Sequence, residues 1–354
     1  MAVLRDDANE KERPMMTKTT YGLDIAKRVF QLYWVEPHTG EVVNRRFSRN
    51  SLIRFFSNRP AGTVALEACG SAHWWARKLK SLGHEPKLLN ARYVRPFVHN
   101  NKTDAADARA IWTAIQQPEV KTVAVKTEEQ QAILGLHRIR SNLVKSRTAQ
   151  VNQLRGLLYE FGVTLRGGRQ AGLEQIRERM AELEELLPSI LIGELTEQLA
   201  RVGQLDSDIK KLEQRIAYWG KHDPGCQAIL AVPGIGMLTA TALIATIGDA
   251  TSFKSGRELA AFIGLVPKQS GTGGSVRLGS ISKRGETYLR TLLIHGARAV
   301  AFTAKHKTPW AESLLERRPT NVAVVGIANK MTRTVWAILA HNRHYNEDCV
   351  GAAA

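Results

Sequence analysis

Three short runs rich in β-branched and aromatic residues, Tyr21–Ile25, Val29–Val35 and Val42–Phe47, follow one another across gaps of a few residues. This spacing constrains the fold more than any other feature of the chain. Strands joined so closely pair antiparallel, because a parallel return needs a crossover of about a dozen residues or more. The second gap holds Pro37-His38-Thr39-Gly40, a turn signal, so the three runs read as a meander. The rhythm then changes. A helical period covers Ser51–Asn58, a compact apolar run covers Thr63–Glu67, and a helix bearing Trp74, Trp75 and Leu79 covers Ser71–Leu82. A short strand, Lys87–Asn90, and a strong helix, Thr103–Ile115, complete the series. The order β-β-β-α-β-α-β-α predicts a mixed α/β sheet.

Acidic residues sit at telling places in that order. Asp24 lies in the first strand (GLDIAK) and Glu67 at the end of a later one (VALEACG). Asp104 and Asp107, three apart, share one face of the closing helix. If the two strands are neighbours and the helix lies beside their ends, four carboxylates converge and repel. Hard divalent cations with oxygen ligands relieve such repulsion. Two Mg²⁺ or Mn²⁺ ions about 4 Å apart would then suit a phosphoryl transfer. Each residue also has an ordinary reading: Asp104 as a helix cap or first-turn acid, Glu67 as a strand-end acid, Asp24 as a turn former before Lys27-Arg28. Taken together on a basic chain, they point to a metal site.

The remainder reads as mostly helical. From Lys121 to Gln170 nine Lys/Arg stand against three acids. Arg138, Arg140, Lys145, Arg147 and Arg155 line a long helix over roughly Glu128–Phe161 and are candidate RNA or DNA contacts. The following stretch opens with Glu174, Glu178, Glu182, Glu184 and Glu185. It then carries Leu195, Leu199, Val202, Leu205, Ile209, Leu212 and Ile216 at steps of three and four. That stripe fits a coiled coil between chains or two helices of a hairpin packing on each other, and the two can coexist. Next, Leu230–Asp249 reads as an apolar helix, Pro-Gly-Ile-Gly, and a second apolar helix. Gly234 and Gly236 would let backbone approach a phosphate where the second helix opens, a helix-hairpin-helix-like arrangement. A plain helix–helix turn uses the same residues.

Charge bears on the partner. Fifty Lys/Arg against 33 Asp/Glu leave a net +17, and nucleic acid is the expected counterpart. Residues 227–248 carry no charge over a length that could span a bilayer. Pro233-Gly234 and Gly236 in the middle would leave backbone groups unpaired in lipid, so two buried helices and no membrane are expected. No apolar leader opens the chain, and Cys69, Cys226 and Cys349 form no CxxC pair, which suits a reducing cytoplasm. The expected organisation is a flexible tail over 1–17, an α/β domain over 18–122, a long helical or coiled-coil region over 123–220, a mostly α-helical basic domain over 221–345, and a tail over 346–354.

Within that last domain PKQSGTGGSVRLGSISKRG, Pro267–Gly285, holds four serines, five glycines, four basic residues and no acid. It lacks GxxxxGK[ST], which excludes a P-loop. Lys268, Arg277, Lys283 and Arg284, with Arg290 beyond, argue for a phosphate cradle over a slack linker. Val276, Leu278 and Ile281 suggest a short strand or turn pinned to a core. Composition leaves open whether Ser270, Ser275, Ser280 or Ser282 is also a nucleophile, for which a base, a metal or clustered cations would be needed.

GLDIAK, ALEACGSA and KTDAADARAI resemble the DEDD transposases of bacterial insertion sequences. The strand Asp, strand Glu and helical Asp-x-x-Asp resemble the ribonuclease-H-like core of the Holliday-junction-resolvase (RuvC) type. Downstream, LAAFIGLVPKQSGT and ISKRGETYLR resemble the C-terminal serine domain of the same family, and the likeness covers roughly Thr20 to His341. The resemblance implies a recombinase that cuts and rejoins donor and target DNA through the serine of a Ser-Gly pair, which maps onto Ser270-Gly271. It implies catalytic, metal-binding carboxylates at Asp24, Glu67, Asp104 and Asp107. It also implies dimers that pair into tetramers, active sites completed between subunits, and a structured non-coding guide RNA that selects the target. Two rivals remain at this level. One is a junction-type, structure-specific endonuclease using carboxylates and water alone; the other is a non-catalytic architectural protein using the +17 charge and the Pro-Gly-Ile-Gly turn.

Overall fold

A computed structural model of the chain describes residues 18–98, 103–303 and 308–346. The expected tail over 1–17, and all but Asn346 of that over 346–354, lie outside the described residues. The chain divides into two compact units, Met1–Thr127 and Glu128–Ala354.

In the first unit β1 (Thr20–Ile25), β2 (Val29–Val35) and β3 (Val42–Ser48) form the expected antiparallel meander. There follow α1 (Arg49–Ser57), β4 (Thr63–Glu67), α2 (Ala72–Ser81), β5 (Glu85–Leu89), α3 (Ala91–Val94), a 3-10 turn over Arg95–Phe97, α4 (Asp104–Ile115) and β6 (Thr122–Val123). The sheet order is β3-β2-β1-β4-β5-β6. β4 pairs parallel with β1, β5 parallel with β4, and β6 closes the edge antiparallel. This is a mixed α/β domain, compatible with a ribonuclease-H-like core. Only α3 and β6 lack a counterpart in the sequence reading, and both are too short to show an apolar period.

Alternation along the strands sorts their side chains between two faces. Tyr21 and Leu23 of β1 and Val64 and Leu66 of β4 join Phe30, Leu52, Phe56 and Trp75 in a core beneath α1 and α2. Phe30 and Trp75 meet with ring centroids 4.7 Å apart. On the opposite face Ala65 and Leu89 pack against Ala110, Ile111 and Ala114 of α4. The residues of β1 and β4 that alternate with the larger core therefore face α4.

The second unit opens with α5 (Glu128–Glu160), a single helix of 33 residues. The acidic stretch after it is broken into α6 (Arg169–Glu178), α7 (Met180–Leu186) and α8 (Ser189–His222). Pro188 caps α8 and interrupts the hydrogen-bond ladder there. Arg140 pairs with Glu213 at 2.6 Å and Arg147 with Asp206 at 2.6 Å, so numbers rise along α5 as they fall along α8. The two helices are antiparallel. Leu195, Leu199, Val202, Ile209, Leu212 and Ile216 are buried within the single chain. The stripe is thus the inner seam of a hairpin, and the apolar surface that a coiled coil between chains would use is already covered.

The helical middle and the C-terminal segment, expected as separate regions, share this one unit. α9 (Pro224–Ile229) and α10 (Met237–Ile247) flank the Pro-Gly-Ile-Gly turn. Beyond them lie α11 (Gly256–Ile263), a hairpin of β7 (Pro267–Thr272) and β8 (Ser275–Ile281), α12 (Thr287–Phe302), α13 (Pro309–Arg317) and α14 (Thr320–His341). Among the described residues, α14 alone is long and apolar enough to cross a membrane. Its Val324, Ile327, Ala328, Val335 and Ile338 are buried in a core shared with α10 and α12. His137 ties α5 to that core, its ring nitrogens lying 3.0 Å from the Tyr288 hydroxyl of α12 and 3.0 Å from Thr241 Oγ1 of α10.

Candidate active site

Gly22 opens the site. A Cβ at that position would stand 2.4 Å from Ala108 O and 2.6 Å from Trp112 N, so α4 crosses β1 in contact with its backbone. Trp112 Nε1 donates to Thr20 O at 3.0 Å, and Asn44 Nδ2 to Ala105 O at 3.1 Å, which pins the helix against the sheet. Asp24 lies two residues beyond Gly22 and so faces the same way. The parallel register running from Thr20↔Thr63 to Leu23↔Leu66 sets Asp24 level with Glu67, two residues beyond Ala65 on that face. Thr103 caps α4, its hydroxyl accepting from Ala106 N at 3.2 Å. The cap is therefore filled, and Asp104 and Asp107 occupy the first turn.

These four carboxylates act on one another. Burial first, then the charges of Asp107, Asp104 and Glu67, push the Asp24 carboxyl up to about 6. Burial, with Glu67 and Asp24 behind it, also raises the neighbouring Cys69 thiol. A set of hard oxygen donors that repel one another fits a divalent cation such as Mg²⁺ or Mn²⁺. Among the described residues no three His, Cys, Asp or Glu side chains stand close enough to form a ready-made metal cage.

Ser270 lies in β7 directly opposite Arg277 of β8. Opposed residues share a face with Cβ atoms about 4.5–5.5 Å apart, so an arginine borders the serine. At Gly271 a Cβ would meet Ser275 O at 2.5 Å, which reserves the position for glycine. The strands turn through Gly273 and Gly274, at φ 55° and 82°, the positive pair that a two-residue hairpin turn requires. The strands are present, but they are not pinned to a core. Val276 and Leu278 are 56% and 69% exposed, and Ser270 is open to solvent. Only the base is fixed: Ser282 N donates to Val266 O at 2.8 Å, and a Cβ at Gly285 would stand 2.3 Å from Ile263 O.

The basic residues divide into two groups. Arg138, Lys145, Lys268, Arg277, Lys283 and Arg284 are exposed. Arg140 and Arg147, expected to contact nucleic acid, are instead engaged within the chain; each side chain keeps 18% exposure and binds an acid of α8. Arg290 needs the same correction. It is buried, and its Nη1 donates to Ile263 O at 3.1 Å and Gly285 O at 3.2 Å, holding the foot of the hairpin. Gly234, at φ 85°, has a packing reason, since its Cβ would meet Gly296 O at 2.8 Å. Gly236, the exposed N-cap of α10, keeps open space around it. Sequence reasoning missed Gly22, although a glycine inside a strand pattern is itself a signal of close backbone approach.

Comparison with known proteins supplies the family. The transposase family DEDD_Tnp_IS110 matches residues 21–162, and the transposase IS116/IS110/IS902 family matches residues 226–314. The four carboxylates fall in the first span and Ser270 in the second. The chain is 46% identical over 336 residues to a probable family 20 transposase of Pseudomonas aeruginosa, covering 93% of this chain and 99% of that protein. It is 38% identical to the transposase for insertion sequence element IS1111A of Coxiella burnetii, over 95% of this chain and 93% of that one. A pilin gene-inverting protein of Moraxella bovis is 22% identical over 94% of this chain and 99% of its own. Full-length likeness at such identity, with both family patterns in order, assigns the chain: it belongs to the IS116/IS110/IS902 family and is a DNA transposase of that kind of insertion sequence.

Proposed function

We propose that this transposase cuts and rejoins DNA through the Ser270 hydroxyl, assisted by the carboxylates Asp24, Glu67, Asp104 and Asp107. The observation that carries the carboxylate half is Asp24, level with Glu67 on the α4 face and raised to about 6 by burial and then by three other acids. The serine half is supported by an exposed hairpin on which Ser270 stands opposite Arg277 and before a glycine that admits no side chain. In the proposed step Ser270 Oγ forms a bond to a backbone phosphorus and loses its proton. The bond from that phosphorus to one deoxyribose oxygen breaks, and the released oxygen takes up a proton. Attack by a deoxyribose hydroxyl of the second DNA reverses the exchange and restores Ser270, so joining needs no external energy source. Arg277, Lys283 and Arg284 screen the charge that gathers on the phosphate. Mg²⁺ or Mn²⁺, as two ions held by the four carboxylates, would supply Lewis-acid stabilisation when bound. The protein acts as dimers pairing into tetramers, and a structured non-coding RNA of the element chooses the target.

Ser270→Ala tests the reading. With normal protein levels and DNA binding, the variant is expected to lose excision and to give no covalent protein–DNA adduct under denaturing conditions. Normal excision by Ser270→Ala would sink the proposal. A nuclease using water would leave no adduct even in the unaltered protein.

A further inference from the structure

A cavity of about 900 Å³ lies at the foot of the β7–β8 hairpin, walled by that hairpin, α13 and α14. Three cations line it, Arg257, Lys330 and Arg333, together with Trp310, Asn321 and Asn329, and no acidic side chain lines it among the described residues. Lys330 is the informative member. Its Nζ lies 4.2 Å from the Trp310 ring centroid and is shut off from solvent, yet it has no hydrogen-bond partner among the described residues. Burial, and then the charge of Arg333, draw its proton affinity down. An ammonium shut off from water, with a ring face but no hydrogen-bond acceptor beside it and like charges nearby, is costly unless an anion completes the site. Asn321 accepts from Arg298 through Oδ1, and Asn329 donates to Leu265 O through Nδ2. One amide therefore has N–H groups to offer and the other a carbonyl oxygen. The remaining wall is largely apolar, with Leu265, Val322 and Val325. A flat apolar body with an anionic end fits such a site, and the volume is ordinary for small-ligand pockets.

We propose that this cavity holds one unpaired nucleotide of the DNA strand being processed, its phosphate at Arg257, Lys330 and Arg333 and its base along the Trp310 wall. A duplex cannot enter a space of this size, whereas a single nucleotide turned out of the stack can. Since β7 begins and β8 ends in the cavity wall, a strand seated there is led along the hairpin. The inference rests on the family's DNA substrate and not on Ser270 being the nucleophile.

Lys330→Met and Arg333→Gln remove charge at near-constant volume. Full-length protein carrying either is titrated with a labelled single-stranded DNA oligonucleotide, a blunt duplex of the same sequence and the matching RNA oligonucleotide. Each variant is expected to bind the DNA single strand about tenfold more weakly, with its salt slope reduced by about one. Duplex binding should be unchanged. Trp310→Leu is expected to abolish the fluorescence change of 2-aminopurine placed in the single strand. Equal weakening toward duplex, a loss confined to RNA, or no loss at all would each overturn the proposal. Ser270→Ala should bind the single strand normally, so failure here and failure of the serine mechanism are separable. Should Lys330→Met fail to fold, Arg333→Gln and Trp310→Leu give the same reading.

Discussion

The smallest residue in the first unit sets the geometry of its most charged one. Gly22 lets α4 lie on β1, and the helix brings Asp104 and Asp107 toward Asp24. Gly22→Ala puts a methyl within 2.4 Å of a carbonyl oxygen, so the helix must move. The expected cost is about 1–3 kcal/mol or more in denaturant unfolding, with excision lost well before the fold. An unchanged unfolding midpoint would mean that α4 does not depend on this contact. Asp24→Asn acts in the opposite direction on stability. It removes a charge that three neighbours repel, so melting without divalent ions should be unchanged or higher. Excision should fall by at least about a hundredfold, as when a group stabilising transition-state charge is removed. Added Mn²⁺ is expected to raise the melting temperature of the unaltered protein more than that of the variant; equal shifts would argue against metal binding at Asp24.

At the scale of elements, His137 shows how the helical hairpin is joined to the C-terminal core. Thr241 Oγ1 donates to Met237 O at 2.8 Å, so it accepts from His137 Nε2–H, and His137 Nδ1 accepts from the Tyr288 hydroxyl. Burial, then the Arg140 charge, depress this imidazole to about 4. The unfolded chain takes up a proton near 6.5 and the folded one does not until about 4. Stability is therefore unaffected by this group above 6.5 and falls as pH drops through that window. The loss is about 3–3.5 kcal/mol in all, and His137→Phe should flatten most of it in melts taken from pH 7 to 4.5. None of this was legible beforehand, because His137 meets Thr241 and Tyr288 across more than a hundred residues. What was legible had a local period. β2 and β4 were bounded to the residue, and α5 nearly so, by alternation and helical spacing. The Leu195–Ile216 stripe announced a helix with one apolar side but not the identity of its partner, since α5 and a second chain offer the same surface. A short strand in the β7–β8 region was legible, but its setting was not. Val276 and Leu278 looked like anchors to a core that they do not reach. That β1 and β4 could be neighbours was legible from the element order, and their parallel pairing bears this out.

The whole molecule carries +17, and its cations are not equivalent. Lys268, Arg277, Lys283 and Arg284 stand exposed on or beside the hairpin. Arg140 and Arg147 are neutralised by Glu213 and Asp206, and Arg290 is bound to backbone carbonyls. A charge already paired inside the protein releases no counterion when DNA arrives. Each exposed cation that meets a phosphate contributes about 0.9 to the slope of log affinity against log salt on duplex DNA. Replacing the four exposed hairpin residues by alanine should therefore lower that slope by about 3–4, with little change in melting temperature. Replacing Arg140 and Arg147 should leave the slope alone and lower stability, because Glu213 loses its arginine and Asp206 keeps only Arg169, 2.6 Å away. Duplex titrations between about 50 and 200 mM salt separate the two outcomes. Equal slopes for both variants would mean that exposure in the free chain does not determine which cations meet DNA. A large slope change from the half-buried Arg140 and Arg147 alone would require the helical hairpin to open on binding.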